Sequence, residues 1–125
     1  MTALVDTSVL VDHLRGKPEA TGLLSTEAAN GRLHASEITR LELLAGLRAH
    51  EEEATSRLLQ SLVWHPVDRS VAEEAGRLGR RWLPDHRGID SADLAIAATA
   101  RLLEARLLTL NVRHFPMFPG LGPPY

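Results

Sequence analysis

Short apolar runs that suit β-strands alternate with longer stretches of helical periodicity, and this alternation limits the possible folds more than any other feature. Strands are predicted at residues 3–5, 33–35, 63–67 and 107–110. Helices are predicted at residues 9–14, 19–30, 36–50, 52–62, 70–82 and 93–105. A crossover between parallel strands needs a helix-length connection. The sequence therefore predicts an α/β fold, a short parallel sheet with helices on both faces.

Length and composition exclude several classes of protein. A chain of 125 residues with 44% hydrophobic residues suits one core, so we expect one domain over residues 1–125. No apolar run approaches the roughly 20 residues of a membrane span. The first residues lack a basic, then hydrophobic, export signal, so we expect a cytoplasmic protein without membrane contact. With no cysteine, the available chemistry is that of carboxylates, imidazoles and hydroxyls.

The functional site is expected where the predicted parallel strands end. In open α/β sheets, ligands bind outside the carboxyl ends of the strands. The first strand ends in Asp6-Thr7-Ser8 and the last in Thr109-Leu110-Asn111. We expect these two turns to meet in the site. Asp6 also has a purely structural interpretation as the cap of the following helix.

Glu42 is the second candidate residue. On a helical wheel its neighbours are Ile38, Ala45, Gly46 and Ala49, an apolar face of small residues. A buried carboxylate without a partner is costly, so Glu42 needs a cation, hydrogen-bond donors or a cavity. The structural alternative is an ion pair with an arginine from another helix.

Asp93 and Asp90 lie at the start of the most apolar helix. Asp93 shares its helix face with Ile96, Ala97 and Ala100, and Asp90 lies one turn earlier. The two aspartates suit a capping box, in which Asp90 is the N-cap and Asp93 its reciprocal partner. We expect Asp90 to act mainly as the cap and Asp93 to face the site.

Several carboxylates at element ends, without cysteines or paired histidines, are typical of a site for a hard divalent cation. Mg²⁺ or Mn²⁺ prefers oxygen ligands and resolves the repulsion between convergent acids. The six histidines share no zinc-binding spacing, so each is interpreted as a surface or packing residue.

The segments "LVDTSVLVDHLRG", "ITRLELLAGL" and "DLAIAATARLLEARLLTLNVRHF", with the spacing between them, resemble the PIN-domain ribonucleases. More narrowly, the chain resembles a VapC-type toxin of a bacterial type II toxin–antitoxin pair. The resemblance covers nearly the whole chain. It implies a PIN-like fold, RNA cleavage that depends on Mg²⁺ or Mn²⁺, inhibition by a VapB-type antitoxin, and a homodimer.

By the resemblance, the family's first three acidic positions fall at Asp6, Glu42 and Asp93. The fourth falls at Asn111, which departs from a fully acidic quartet. An amide supplies an oxygen ligand without a negative charge, so Asp90 is a candidate to compensate.

Two other function classes remain open from the sequence. A non-catalytic PIN-like domain that binds RNA or protein is compatible with Asn111 and the net charge of -2. A phosphoacceptor or phosphatase of flavodoxin-like topology would need a second acid close to Asp6 and a well-placed lysine. Positions 7 and 8 are Thr and Ser, and Lys17 is the only lysine. The sequence therefore favours the metal-dependent nuclease.

Overall fold

Four strands of three residues each form one parallel sheet in the computed structural model, which describes residues 1–125. They are β1 (Ala3–Val5), β2 (His34–Ser36), β3 (Val63–His65) and β4 (Arg106–Leu108). The order across the sheet is β3-β2-β1-β4, and all three pairings are parallel. Because β1 is central and β4 lies beside it, the turns that follow these two strands are neighbours.

Helices form the connections between the strands, as the alternating pattern predicts. They are α1 (Thr7–Leu14), α2 (Pro18–Ala29), α3 (Glu37–Ala45), α4 (Glu52–Ser61), α5 (Arg69–Trp82) and α6 (Ser91–Leu103). Short 3₁₀ helices cover Ala49–Glu51, Leu83–Asp85 and Val112–His114. No helix has the length and hydrophobicity that a membrane span requires.

Each face of the sheet packs against its own apolar core. Leu4 points into the core formed with α5, α6 and the segment around Phe115. Its neighbours Ala3 and Val5 point into the core formed with α1, α2, α3 and α4. This alternation follows from the two-residue period of a strand. The predicted α/β class, with helices on both faces, is confirmed.

The predicted helix over residues 36–50 is too long. Ser36 caps α3 as expected, since its hydroxyl accepts a hydrogen bond from the backbone N–H of Ile38 (3.1 Å). The helix ends at Ala45, with Gly46 as C-cap. Beyond it, the Glu51 side chain accepts the backbone N–H of Arg48 (3.1 Å) and starts a separate 3₁₀ turn. The apolar spacing continues across this break, and only the glycine marks it in the sequence.

Smaller differences concern the strand ends. Strand β2 begins and ends one residue later than predicted, and β4 spans Arg106–Leu108 rather than 107–110. Strand β3 stops at His65, because Pro66 cannot donate a hydrogen bond to the ladder. It forms one edge of the sheet, as its proline suggests.

Candidate active site

An open, polar cleft of about 410 Å³ lies at the carboxyl ends of β1 and β4. Residues from four distant segments of the chain line it, among them Asp6, Glu42, Asp90, Asp93, Asn111 and His114. The two turns singled out by the sequence thus meet there, joined by α3 and the start of α6. It is the cavity that collects every predicted site residue.

Asp6 follows β1 directly and is held in place by hydroxyl groups. Its Oδ2 accepts hydrogen bonds from the hydroxyls of Ser8 (2.7 Å) and Thr109 (2.8 Å). The same oxygen also caps α1 through a longer contact with the backbone N–H of Ser8 (3.4 Å). Asp6 is therefore both the helix cap and a cleft residue, and its side chain is almost fully buried.

Thr109 links the two turns of the cleft. Besides its bond to Asp6, its hydroxyl oxygen accepts the backbone N–H of Asn111 (2.9 Å). The Ser8 hydroxyl oxygen accepts the backbone N–H of Leu110 (3.1 Å). These bonds fix the position of Asp6 relative to the loop that carries Asn111.

Glu42 reaches the cleft from α3 through a threonine. The Thr7 hydroxyl donates to Glu42 Oε1 (2.6 Å), and the hydroxyl of buried Thr39 lies 2.9 Å from that of Thr7. Because Thr7 has one hydroxyl hydrogen, Thr39 acts as the donor to Thr7. Glu42 makes no ion pair with an arginine, so the structural alternative is absent.

The expected burial of the Glu42 helix face is wrong. Glu42 and Ile38 are half-buried, but Ala45, Gly46 and Ala49 are exposed. Ala45 is the last residue of α3, Gly46 is its C-cap and Ala49 lies in the following 3₁₀ turn, so these residues do not extend one helix face. The hydroxyls of Thr7 and Thr39 orient the Glu42 side chain, and a buried apolar helix face does not.

Asp90 and Asp93 form a capping box at the start of α6. Asp90 Oδ1 accepts the backbone N–H of Asp93 (2.8 Å), and Asp93 Oδ2 accepts that of Asp90 (3.1 Å). Asp90 is exposed, whereas Asp93 is only 8% exposed. Asp90 and Asp93 therefore cap α6 and also line the cleft.

Burial raises the pKa of Asp93 from 3.8 to about 6, although the backbone N–H of Asp90 acts in the opposite direction. The neighbouring Asp90 carboxylate raises the pKa further, whereas His114 lowers it. His114 Nδ1 lies 3.1 Å from Asp93 Oδ2. The charged form of Asp93 is thus held in the fold at a cost, and a cation in the cleft would relieve that cost.

The four cleft acids predicted from the sequence use their carboxylate oxygens in the same way. Each places one carboxylate oxygen in a hydrogen bond to the protein, namely Asp6 Oδ2, Glu42 Oε1, Asp90 Oδ1 and Asp93 Oδ2. The second oxygen of each accepts no hydrogen bond from the protein. Oriented carboxylates with one free oxygen are the donor set that Mg²⁺ or Mn²⁺ prefers, so the residues fit such an ion. In the arrangement seen here, no three His, Asp or Glu side chains are close enough to hold an ion jointly.

Two cleft residues were not identified from the sequence. Asp12, in the last turn of α1, lines the cleft and accepts a hydrogen bond from the Tyr125 hydroxyl (2.8 Å). His114 was interpreted as a surface or packing residue, yet it contacts Asp93. The sequence offered one indication that His114 lies at the cleft, namely its position three residues after Asn111. The Asn111 side chain makes no hydrogen bond and is exposed at the cleft.

Comparisons with known proteins give matches over nearly the whole chain. The family model of the PIN domain matches residues 3–117. "Ribonuclease VapC19" of Mycobacterium tuberculosis is 52% identical over 123 residues, which cover 98% of each chain. "Ribonuclease VapC10" of the same organism is 41% identical over 98% of this chain and 92% of its own. A solved toxin–antitoxin complex from Klebsiella pneumoniae contains a chain with a TM-score of 0.83 and 30% identity, covering 99% of this chain and 98% of its own.

Proposed function

This chain belongs to the PIN-domain family, and we propose that it is a metal-dependent endoribonuclease that acts as the toxin of a toxin–antitoxin pair. One observation carries the proposal: acids from three distant segments face one cleft, and each keeps one carboxylate oxygen free. Relatives named ribonucleases, similar over the whole chain, supply the reaction class. Nothing in the site favours the alternative of a non-catalytic binding domain.

Asp6 and Asp93 would hold the ion, with Asp90 and the Asn111 amide at the edge of the same cleft. A bound Mg²⁺ or Mn²⁺ supplies Lewis-acid polarisation of the scissile phosphate and a lowered pKa for the attacking water. The hydroxyls of Ser8 and Thr109 keep Asp6 in one rotamer. Asn111 brings no charge, so the aspartates and Glu42 provide the negative field.

Glu42 is assigned the role of orienting and deprotonating the attacking water. The Thr7 hydroxyl occupies Oε1, so Oε2 is the oxygen available to the water. As the water oxygen bonds to phosphorus, the bond from phosphorus to the ribose 3′ oxygen breaks in line. The products are a 5′-phosphate and a 3′-hydroxyl end, because water rather than the ribose 2′-hydroxyl is the nucleophile.

A VapB-type antitoxin is the proposed partner, supported by the toxin–antitoxin complex that contains a similar chain. The acidic cleft has no arginine of its own paired with Asp6, Glu42 or Asp93. An antitoxin arginine inserted there would form charge-assisted hydrogen bonds to the free carboxylate oxygens and compete with the ion. We place the pair in the cytoplasm, where the RNA substrate is.

We also propose a homodimer. Leu41 and Leu44 lie on one face of α3 and are 60% and 48% exposed. Ala45 continues this face and is exposed too. An apolar stripe of this kind is typical of a surface covered by another chain.

The test is to sequence the 5′ ends of RNA from cells that express the wild-type chain or Asp6→Ala. We expect new 5′-phosphate ends at recurrent sites with the wild type and their absence with the variant. The same comparison identifies the RNA target. Identical end profiles for the two proteins at equal expression would refute the proposal.

A further inference from the structure

A pair of histidines on the sheet lies outside the acidic cleft and has no assigned role. His34 is the first residue of β2, and His65 is the last residue of the edge strand β3. In the register of these strands, His34 is opposite Val63 and His65 is opposite Ser36. The two histidines are therefore diagonal neighbours on the same face of the sheet.

The two imidazole rings meet through their nitrogens. His34 Nδ1 lies 2.8 Å from His65 Nε2, and the ring planes differ by only 22°. Nearly parallel rings at this nitrogen–nitrogen distance share one N–H···N hydrogen bond. Each ring keeps its other nitrogen, His34 Nε2 and His65 Nδ1, without a protein partner. Neither imidazole is paired with a carboxylate.

The separation of the nitrogens is that of two ligands on one metal ion. Two metal–nitrogen bonds of about 2.0 Å that meet at a right angle place the nitrogens about 2.8 Å apart. Neutral imidazoles are good ligands for Zn²⁺, Ni²⁺ and Cu²⁺, and square-planar or tetragonal coordination suits the last two. Mg²⁺, which prefers oxygen ligands, has no such affinity for this pair.

We propose that His34 and His65 form a second metal site, specific for a late first-row transition-metal dication such as Cu²⁺, Ni²⁺ or Zn²⁺. The ion takes the lone pairs of His34 Nδ1 and His65 Nε2, with water in the remaining positions. The ring that donates the shared hydrogen moves it to its outer nitrogen, so neutral rings lose no proton.

The surroundings keep the pair available as a ligand. Burial, together with His65 and Arg32, lowers the pKa of His34, which favours the neutral ring that binds a metal ion. Both side chains are partly exposed, so water and ions reach them. The two residues belong to neighbouring strands, so a bound ion cross-links β2 to the edge strand β3.

Electron paramagnetic resonance of Cu²⁺ bound to tag-free protein tests the proposal. One equivalent of Cu²⁺ should give the hyperfine pattern of two imidazole nitrogens. His34→Gln and His65→Gln should each lose that pattern and bind Cu²⁺ at least tenfold more weakly. His50→Gln, at an exposed histidine, is the matched control and should behave as the wild type. Unchanged Cu²⁺ affinity in either test variant overturns the proposal.

A second measurement uses only the wild-type chain. In imidazole ¹⁵N spectra, Zn²⁺ should shift the resonances of His34 and His65 and leave those of His13, His50 and His86 in place. His114 is left out of the comparison because it contacts Asp93 in the acidic cleft. Unshifted His34 and His65 resonances overturn the site. Mg²⁺-dependent RNA cleavage should persist in His34→Gln and His65→Gln. The failure of this proposal can therefore be distinguished from the failure of the proposed function.

Discussion

Asp93 combines a structural contact, the cap of α6, with a place in the proposed metal site. Its carboxylate caps α6, contacts His114 and lies beside Asp90 while almost fully buried. Sequence reasoning identified Asp93, Asp6 and Glu42 because each carboxylate follows or interrupts an apolar pattern. The contact partners Thr39 and His114 were missed, because their role depends on which segments the fold brings together.

The raised pKa of Asp93 predicts a stability difference that depends on pH. An acid whose pKa is raised in the folded state destabilises the fold above that pKa, and the cost disappears as pH falls towards the unfolded value of 3.8. Asp93→Asn should therefore melt higher than the wild type at pH 7.5 without metal, by about 4 °C for each kcal/mol gained. The gap should close by pH 4. Equal melting temperatures at pH 7.5 would contradict this origin of the shift.

Thr109 is predicted to support catalysis through Asp6. Thr109→Val removes a hydrogen bond to a carboxylate, worth about 1.5–3 kcal/mol. If that bond holds Asp6 in its working position, cleavage should slow about tenfold or more. Thr99→Val is the matched control, because buried Thr99 bonds only to the Ala95 carbonyl within α6. Single-turnover rates of RNA cleavage measure the difference, and equal rates for both variants would show that Thr109 is not needed.

At the scale of elements, the periodicity of apolar residues predicts which helices and strands form. It does not predict the residues at which they end. The spacing of apolar residues places all four strands and six helices in the right order. Gly46 caps the end of α3 at Ala45, and in the turn beyond it the Glu51 side chain accepts the Arg48 backbone N–H and pairs with Arg15 (3.2 Å). Such a contact, between the C-cap residue of α1 and a turn 36 residues later in the chain, leaves no periodic signal in the sequence.

Glu51 is predicted to hold the turn between α3 and α4. Burial alone would raise the pKa of Glu51, but the Arg48 N–H and the Arg15 guanidinium hold it below its usual value. Glu51→Ala should lower the midpoint of urea unfolding, since it leaves the Arg48 N–H and Arg15 without their partner. Exposed Glu52, the next residue, supplies the control as Glu52→Ala. Urea unfolding measures both, and equal midpoints would contradict the assignment.

At the scale of the whole molecule, the topology creates the site. Strand order β3-β2-β1-β4 brings the turns after β1 and β4 together although they are about a hundred residues apart, and the Thr109–Asp6 hydrogen bond spans that distance. The rule that parallel sheets bind ligands at their carboxyl ends was enough to predict this meeting point. The strand order and the identity of the exposed helix faces could not be predicted from the sequence and are known only from the structure.

The exposed stripe on α3 predicts how the chain assembles. Leu44→Glu introduces a charge into the proposed dimer contact, so we expect a monomer in light scattering where the wild type is a dimer. The exposed Leu102 is 49% accessible and lies on α6, so Leu102→Glu is the control and should remain dimeric. A wild-type monomer, or a dimer that survives Leu44→Glu, would contradict this contact.

The affinity for Mn²⁺ tests most directly whether the acids of the cleft bind one divalent ion together. It can be followed through the paramagnetic resonance signal of the free ion. Wild-type protein should bind Mn²⁺, whereas Asp6→Asn and Asp93→Asn should each bind at least tenfold more weakly while remaining folded. Asp85→Asn, at an exposed aspartate that does not line the cleft, should match the wild type. Mn²⁺ affinity that is unchanged in both cleft variants would show that these acids do not hold the ion.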